Sequence, residues 1–161
     1  MYKAEPTGPW SSGMDVLLIE DNAADVQLAQ EAFRCSKKQI NLHVVGDGVE
    51  AMAFLQRAGV YVHAPRPHLI LLDLNLPKMN GRQVLANIKN DIDLKTIPTM
   101  ILTISDASVD IQYCYEQSAN CYVGKPNDLD AYRRVVAGID IFWFTLVKLP
   151  GDLPAQQQQQ P

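Results

Sequence analysis

Three carboxylates directly follow two apolar runs of the sequence that are suited to form buried strands. Glu20 and Asp21 come after the run 16–19, and Asp73 comes after the run 69–72. Since parallel strands end at a common edge of their sheet, these acids are expected to lie close together. A buried acid without a partner is strongly unfavourable, so the cluster indicates a cation site, a phosphate chemistry or both.

Two further side chains follow apolar runs later in the chain. Lys125 stands after the run 121–123, where its ammonium can act as a point charge on phosphoryl oxygens. Thr103 stands after the run 99–102, where its hydroxyl can donate to a phosphoryl oxygen and move when that oxygen arrives. With Mg²⁺ held by carboxylates, Asp73 is then expected to attack a phosphoryl donor and form an aspartyl phosphate.

Each of these residues taken alone also has a purely structural explanation. Lys125 can be a solvated loop lysine, Thr103 a strand former and Asp73 a turn acid. The segment 20–22 can cap a helix, because acids are favoured near the N-terminus of a helix. The occurrence of all these residues at strand ends favours the chemical interpretation.

The rest of the sequence predicts the elements that position these side chains. Short apolar runs alternate with amphipathic segments of helical period, which is typical of parallel strands joined by crossover helices. We expect an α/β fold with five helices and a doubly wound, five-stranded parallel sheet, flavodoxin-like, in the order 2-1-3-4-5. The predicted strands are 16–19, 42–45, 69–72, 99–102 and 121–123. This order places the first and third strands side by side.

The last predicted helix, residues 128–147, carries two apolar stripes. The first stripe is assigned to the core and comprises Tyr132, Val135, Val136, Ile139, Trp143 and Leu146. The second stripe comprises Ala137, Ile141 and Phe144. A surface helix of a monomer rarely needs a second apolar face. We therefore predict an interface between two copies of the chain that includes Ile141 and Phe144.

The composition predicts one folded domain with a tail at each end. Of the 161 residues, 47% are hydrophobic and 20% are charged, with a formal net charge of -4, which argues against a nucleic-acid partner. We assign residues 1–12 to a flexible tail, 13–149 to the domain and 150–161 to a disordered, glutamine-rich tail. No signal peptide or apolar run of roughly 20 residues is present, so we expect a cytoplasmic protein without a membrane partner.

In this combination the residues resemble the receiver domain of bacterial response regulators, over residues 14–148. The resemblance rests on Glu20-Asp21, Asp73 within LLDLNLP, Thr103 and Lys125-Pro126. It implies that a histidine kinase passes its phosphoryl group to Asp73. It also implies that Mg²⁺ is held by Asp21, Asp73 and the backbone carbonyl of Asn75, with Glu20 acting mainly through water.

The same resemblance implies further roles at the later strand ends. Thr103 and Tyr122, the latter three residues before Lys125, would form a coupled switch pair. Lys125 and Pro126 would be joined by a cis peptide. Two positions depart from the family pattern. Ile104 stands where a small residue is usual and is expected to slow access to the site, and Gly124 is expected to loosen the loop of the lysine.

Four segments resemble the cyanobacterial phytochrome response regulators more specifically, namely 64–67, 73–78, 119–123 and 142–144. Those proteins are small receivers that pair as homodimers and take their phosphoryl group from a light-sensing histidine kinase. Few residues follow Leu149, so we expect output through protein contacts rather than through an attached effector domain. On this interpretation the chain is a phosphoacceptor that catalyses only its own phosphotransfer and dephosphorylation, and is not otherwise an enzyme.

Three alternatives stay open at this point. A haloacid dehalogenase-like phosphohydrolase also uses an aspartyl phosphate and Mg²⁺, but it needs an Asp where this chain has Asn75. A flavodoxin would hold a flavin phosphate in the loop after the first strand, where Glu20 and Asp21 would repel it. The third alternative is a receiver fold used only as a dimerisation scaffold, with weak or no phosphorylation. Ile104 favours it, because this residue is expected to slow access to the site.

Overall fold

The computed structural model describes residues 13–150. The tail predicted for residues 1–12, and residues 151–161 of the predicted C-terminal tail, lie outside the described residues. Five strands are present in the described part: β1 Met14–Ile19, β2 Ile40–Val45, β3 Leu69–Leu72, β4 Thr99–Thr103 and β5 Cys121–Gly124. The α-helices between and after them are α1 Ala23–Arg34, α2 Gly48–Gln56, α3 Gly81–Asn90, α4 Ser108–Glu116 and α5 Leu129–Ile141.

The strands form one parallel sheet in the order β2-β1-β3-β4-β5, which confirms the predicted topology. In the pairing of β1 with β3, Ile19 lies opposite Leu72. Glu20 directly follows Ile19 and Asp73 directly follows Leu72, so these two acids lie side by side at the end of the sheet. The register of two buried apolar strands thus brings the first acids of the predicted cluster together.

Helices cover both faces of the sheet. This cover is needed because successive side chains of β1 point to opposite faces and are apolar on both. Leu17 and Ile19 belong to a buried cluster that includes residues of α2, α3 and α4. Val16 and Leu18 belong to a second buried cluster that includes residues of α1 and α5. Apolar side chains on both faces explain why this strand is a continuous apolar run rather than an alternating one.

The last helix ends differently from the prediction of one α-helix over 128–147. It is α-helical only to Ile141 and continues as a π-helical turn over Phe142–Leu146. A π-turn contains more residues than an α-turn, so the 3.6-residue period no longer predicts which side chains face inward. Leu146, which was assigned to the core, is 69% exposed.

The second apolar stripe of the last helix is only partly exposed to solvent. Ile141 is 61% exposed, as an interface residue should be. Phe144 is partly buried and packs against the core cluster of α1 and α5, so its part in an interface stays a prediction. The π-turn accounts for this difference as well, because it turns Phe144 inward and leaves Phe142 exposed beside Ile141.

Among residues 13–150, no helix combines the length and the apolar content that a membrane span needs.

Candidate functional site

Asp73 directly follows β3 and is buried. Its Oδ2 atom lies 2.8 Å from the Nζ atom of Lys125. Its Oδ1 atom accepts hydrogen bonds from the Thr103 hydroxyl at 2.9 Å and from the backbone N–H of Asn75 at 3.1 Å. The structure therefore places the predicted lysine and the predicted hydroxyl on the two oxygens of one carboxylate.

Lys125 is surrounded by three carboxylates. Its Nζ atom lies 2.7 Å from Glu20 Oε2, 2.8 Å from Asp73 Oδ2 and 3.2 Å from Asp25 Oδ2, and its side chain is 6% exposed. Burial by itself disfavours the ammonium, but the hydrogen bonds to Asp73 and Glu20 outweigh it and raise the pKa of Lys125. Lys125 therefore remains a cation at any physiological pH.

Sequence reasoning did not identify Asp25. It lies in the first turn of α1, where an acid is common for purely structural reasons. Asn22 caps this helix, because its side-chain oxygen accepts a hydrogen bond from the Asp25 N–H at 3.0 Å. Asp25 follows the acidic pair by about one helical turn, and this spacing is the signal that could have drawn attention to it.

Glu20 is buried, whereas Asp21 is exposed. Burial raises the pKa of Glu20 to about 7, against the opposing effects of its hydrogen bonds with Lys125 and with the Asn22 N–H. Carboxylate oxygens of Glu20, Asp21 and Asp73 all lie within 4.8 Å of one another. Hard oxygen donors in such a group suit a divalent cation such as Mg²⁺ or Mn²⁺. The predicted acids therefore fit a metal, while the role of the Asn75 carbonyl stays a prediction.

The loop after β3 is held close to the site by a glycine. Gly81 begins α3, and its N–H donates to the Leu74 carbonyl at 2.9 Å. A Cβ atom at this position would stand 2.1 Å from the backbone oxygen of Asp73. Only a glycine therefore allows α3 to start directly against the residue that carries the central carboxylate.

The two predicted switch residues make separate hydrogen bonds. Thr103 is buried at the end of β4, and its carbonyl accepts the Lys125 N–H at 2.8 Å. The Tyr122 hydroxyl donates to the carbonyl of Ser105 at 2.7 Å, in the loop that follows Thr103. The loop after β4 therefore begins at Thr103, which is hydrogen-bonded to Asp73. Two residues later, at Ser105, it is hydrogen-bonded to Tyr122 of β5.

Comparison with known proteins decides the family. Residues 16–137 match the family described as the response regulator receiver domain. The chain belongs to the response regulator receiver family. It is 48% identical over 135 residues to response regulator Rcp1 of Synechocystis, a match that covers 84% of this chain and 92% of Rcp1. The predicted family is thus confirmed.

Two solved receivers are similar to this one over nearly their whole length. The Mn²⁺-bound form of Rcp1 has a TM-score of 0.79 and 47% identity, covering 85% of this chain and 99% of Rcp1. The phosphorylated cyanobacterial phytochrome response regulator RcpA has a TM-score of 0.82 and 46% identity, covering 86% of this chain and 99% of RcpA. The predicted similarity to cyanobacterial phytochrome response regulators is confirmed. The family decides against the phosphohydrolase and flavodoxin alternatives.

The receiver contains a side-chain network that the sequence did not reveal. Arg82 of α3 donates from Nε to Asp110 Oδ1 of α4 at 3.0 Å. The hydroxyl of Ser105 donates to the other oxygen of Asp110 at 2.6 Å. Hydrogen bonds from Ser105 and Arg82 lower the pKa of Asp110. Since Tyr122 binds the carbonyl of the same serine, the network links α3, α4 and β5 through one loop.

The predicted cis peptide between Lys125 and Pro126 is wrong for this structure. No cis peptide bond occurs among the described residues. A trans bond before proline is favoured by about 0.5–1 kcal/mol unless tertiary contacts oppose it. Here the trans backbone already lets the Lys125 side chain reach its three carboxylates.

The two departures from the receiver pattern lie at the surface. Ile104 is 73% exposed and directly follows the buried Thr103. Gly124 has no atom within 4 Å of the position that a Cβ would take. Neither residue displaces the side chains around Asp73. The expected effects of Ile104 on access and of Gly124 on the lysine loop stay predictions.

Proposed function

We propose that this chain is a response regulator that accepts a phosphoryl group on Asp73 from a histidine kinase. The observation that carries the proposal is the buried carboxylate of Asp73, which lies 2.8 Å from the Lys125 ammonium and 2.9 Å from the Thr103 hydroxyl. The phosphorylated state of RcpA, at 46% identity, supports it. The chain acts in this proposal as a phosphoacceptor in a phosphorelay and not as an enzyme with a separate substrate.

In the proposed transfer, a carboxylate oxygen of Asp73 attacks the phosphorus atom of a phosphohistidine. The P–O bond forms, the P–N bond breaks, and the released imidazole takes up a proton from water. The ammonium of Lys125 stays within reach of the transferred group and stabilises the charge on its oxygens. Thr103 exchanges its hydrogen bond to Asp73 for one to a phosphoryl oxygen.

A divalent cation fits the acids of this site, and we propose Mg²⁺ held by Asp21, Asp73 and the Asn75 carbonyl, with Glu20 acting through water. When bound, it neutralises charge between the carboxylates and the phosphoryl group. Support comes from the close approach of the Glu20, Asp21 and Asp73 oxygens, within 4.8 Å. The Mn²⁺-bound form of Rcp1 is consistent with such a site.

We propose that a phytochrome histidine kinase is the donor, on the basis of the similarity to the phytochrome response regulator RcpA. We also propose that this transfer takes place in the cytoplasm. Phosphorylation replaces the single negative charge of the Asp73 carboxylate with the roughly two negative charges of an acyl phosphate. The added charge biases Thr103, Tyr122 and the face formed by α4, β5 and α5, and output passes through protein contacts on that face.

Acetyl phosphate with Mg²⁺, followed by intact-mass and peptide mass spectrometry, tests the phosphorylation site. We expect one added phosphoryl group, located on the peptide that contains Asp73, and none on Asp73→Asn. Asp130→Asn is the matched control, because Asp130 is an exposed aspartate that pairs with Arg133 on its own helix. A phosphoryl group retained by Asp73→Asn would contradict the assignment.

The donor is tested with a purified phytochrome kinase in light and in darkness. We expect transfer to this chain to change with illumination, and transfer to Asp73→Asn to be absent under both conditions. Equal transfer in light and darkness would remove light sensing from the proposal but leave the phosphoacceptor role intact.

A further inference from the structure

Among residues 13–150, Asp25 is the one carboxylate around Lys125 that lies outside the metal-compatible group. Lys125 Nζ contacts Glu20, Asp73 and Asp25. The carboxylates whose oxygens lie close enough to share a cation are Glu20, Asp21 and Asp73. Two of the three partners of the lysine therefore also belong to the candidate metal site, and Asp25 does not.

This overlap creates a conflict between two cations. A divalent ion that binds Asp73 directly and Glu20 through water competes with the Lys125 ammonium, which lies 2.7 Å from Glu20 and 2.8 Å from Asp73. The two cations also repel each other across a small, largely buried volume. Without a further anion, binding of the metal would displace the Lys125 ammonium from the Asp73 carboxylate.

We propose that Asp25 is a positioning residue that keeps the Lys125 ammonium beside Asp73 while a divalent cation occupies the acid group. This inference rests on the proposed function of Asp73 and Lys125. Its geometry is already in place, because Asp25 Oδ2 lies 3.2 Å from Lys125 Nζ. The Asp25 side chain is 22% exposed, so it can tighten this contact at low desolvation cost.

The position of Asp25 in the chain suits this role. Its backbone is fixed at the start of α1 by the hydrogen bond from its N–H to the Asn22 side chain. A carboxylate in the first turn of a helix is itself stabilised by the helix dipole. An acid placed there for the dipole alone would need no contact with Lys125, so the test must separate a helix effect from an effect that acts through the lysine.

A double-mutant cycle on metal affinity makes this separation. Mg²⁺ binding is measured by calorimetry on the wild-type chain, Asp25→Asn, Lys125→Met and the double variant. We expect Asp25→Asn to weaken Mg²⁺ binding about tenfold in the wild-type background, the lower end of typical outer-shell effects. In the Lys125→Met background we expect a change of at most about twofold, from loss of a partly screened charge.

Two controls complete the cycle. Glu31→Gln removes a carboxylate of the same helix that pairs with Arg34, and should leave Mg²⁺ affinity unchanged. Asp25→Glu keeps the charge and should recover part of the affinity. An equal loss from Asp25→Asn in both backgrounds would show a simple charge effect and overturn the proposal. An unchanged affinity in the wild-type background would overturn it as well.

A second measurement does not depend on whether Lys125→Met folds. The side-chain ammonium signal of Lys125 is followed by NMR during Mg²⁺ titration. We expect the wild-type signal to stay distinct from those of solvated lysines at saturation, and the Asp25→Asn signal to merge with them. An ordered Lys125 signal in Mg²⁺-saturated Asp25→Asn would overturn the proposal. Neither measurement uses a phosphoryl donor, so failure of Asp73 labelling would be distinguished from failure of this inference.

Discussion

The Nζ atom of Lys125 lies 2.8 Å from Oδ2 of Asp73, although the two residues are 52 positions apart. The lysine comes from the loop after β5, and the aspartate follows β3. Between these two strands lies β4, which contributes Thr103 to the other oxygen of the same carboxylate. The buried carboxylate at the end of β3 therefore receives contacts from the ends of the next two strands of the sheet.

Removal of the buried ammonium should make the metal-free protein less stable. Lys125→Met leaves the buried carboxylates of Glu20 and Asp73 without their cation, which typically lowers the free energy of unfolding by about 3–5 kcal/mol. We expect millimolar Mg²⁺ to recover much of this loss, since it supplies charge to the same acids. Urea unfolding with and without Mg²⁺ measures both effects.

Lys38→Met is the control for that substitution, because Lys38 is exposed. A metal-free Lys125→Met that is as stable as the control would contradict a buried ion cluster that depends on the lysine.

The stability of the metal-free protein should depend on pH through Glu20. Burial raises its pKa in the folded protein to about 7, compared with 4.5 for an ordinary glutamate. The folded state therefore holds this proton more tightly than the unfolded state. The resulting stabilisation is fully present below about pH 4.5 and is lost as the pH rises through about 7.

Glu20→Gln isolates this contribution from the other titrating groups. Across that window, we expect the free energy of unfolding of the wild type to fall relative to Glu20→Gln by on the order of 3 kcal/mol. Urea titrations at several pH values in a chelating buffer measure the difference. Parallel pH profiles of the two proteins would mean that Glu20 titrates normally.

Thr103 can be tested by a substitution of nearly equal shape. Thr103→Val removes the hydroxyl that donates to Asp73 and keeps the buried volume. In the proposed transfer this hydroxyl moves to a charged phosphoryl oxygen, and a hydrogen bond to a charged group contributes about 1.5–3 kcal/mol. We therefore expect phosphorylation by acetyl phosphate to slow by about tenfold or more. Thr103→Ser keeps the hydroxyl and should phosphorylate near the wild-type rate. A Thr103→Val variant with the wild-type rate would remove this hydroxyl from the transfer.

The predicted homodimer should depend on exposed apolar residues at the end of α5. Ile141 is exposed there, with Phe142 and Leu146 of the following π-turn. We expect Ile141→Asp to shift the chain from dimer to monomer in size-exclusion chromatography with light scattering, since a buried charge opposes association. Val60→Asp is the control at an exposed apolar position outside α5. A dimer unaffected by Ile141→Asp would exclude this residue from the interface.

Phe144→Ala should behave differently from Ile141→Asp. Because Phe144 packs against the core cluster of α1 and α5, its truncation should lower the free energy of unfolding by about 1–2 kcal/mol. Thermal unfolding of the monomer separates this loss from any change in association.

The acids at strand ends were predictable because their positions depend on local pattern and on one topological rule. An apolar run predicts a buried strand, and the candidate functional side chains are those that follow the end of such a run. Side-by-side packing of β1 and β3 then follows from the alternation of strands and helices. For the same reason the segment 20–22 could be recognised as a possible helix cap, since capping involves residues only three apart.

The sequence by itself therefore determined the fold class, the strand order and the grouping of Glu20, Asp21, Asp73, Thr103 and Lys125. Only the tertiary structure decided that Asp25 joins the lysine, that Arg82 pairs with Asp110, and that Phe144 turns inward while Leu146 stays exposed. These outcomes depend on the angles at which helices pack on the sheet and on a local change of helical pitch. Neither quantity is encoded in apolar periodicity, because periodicity specifies which face of an element is buried and not what that face meets.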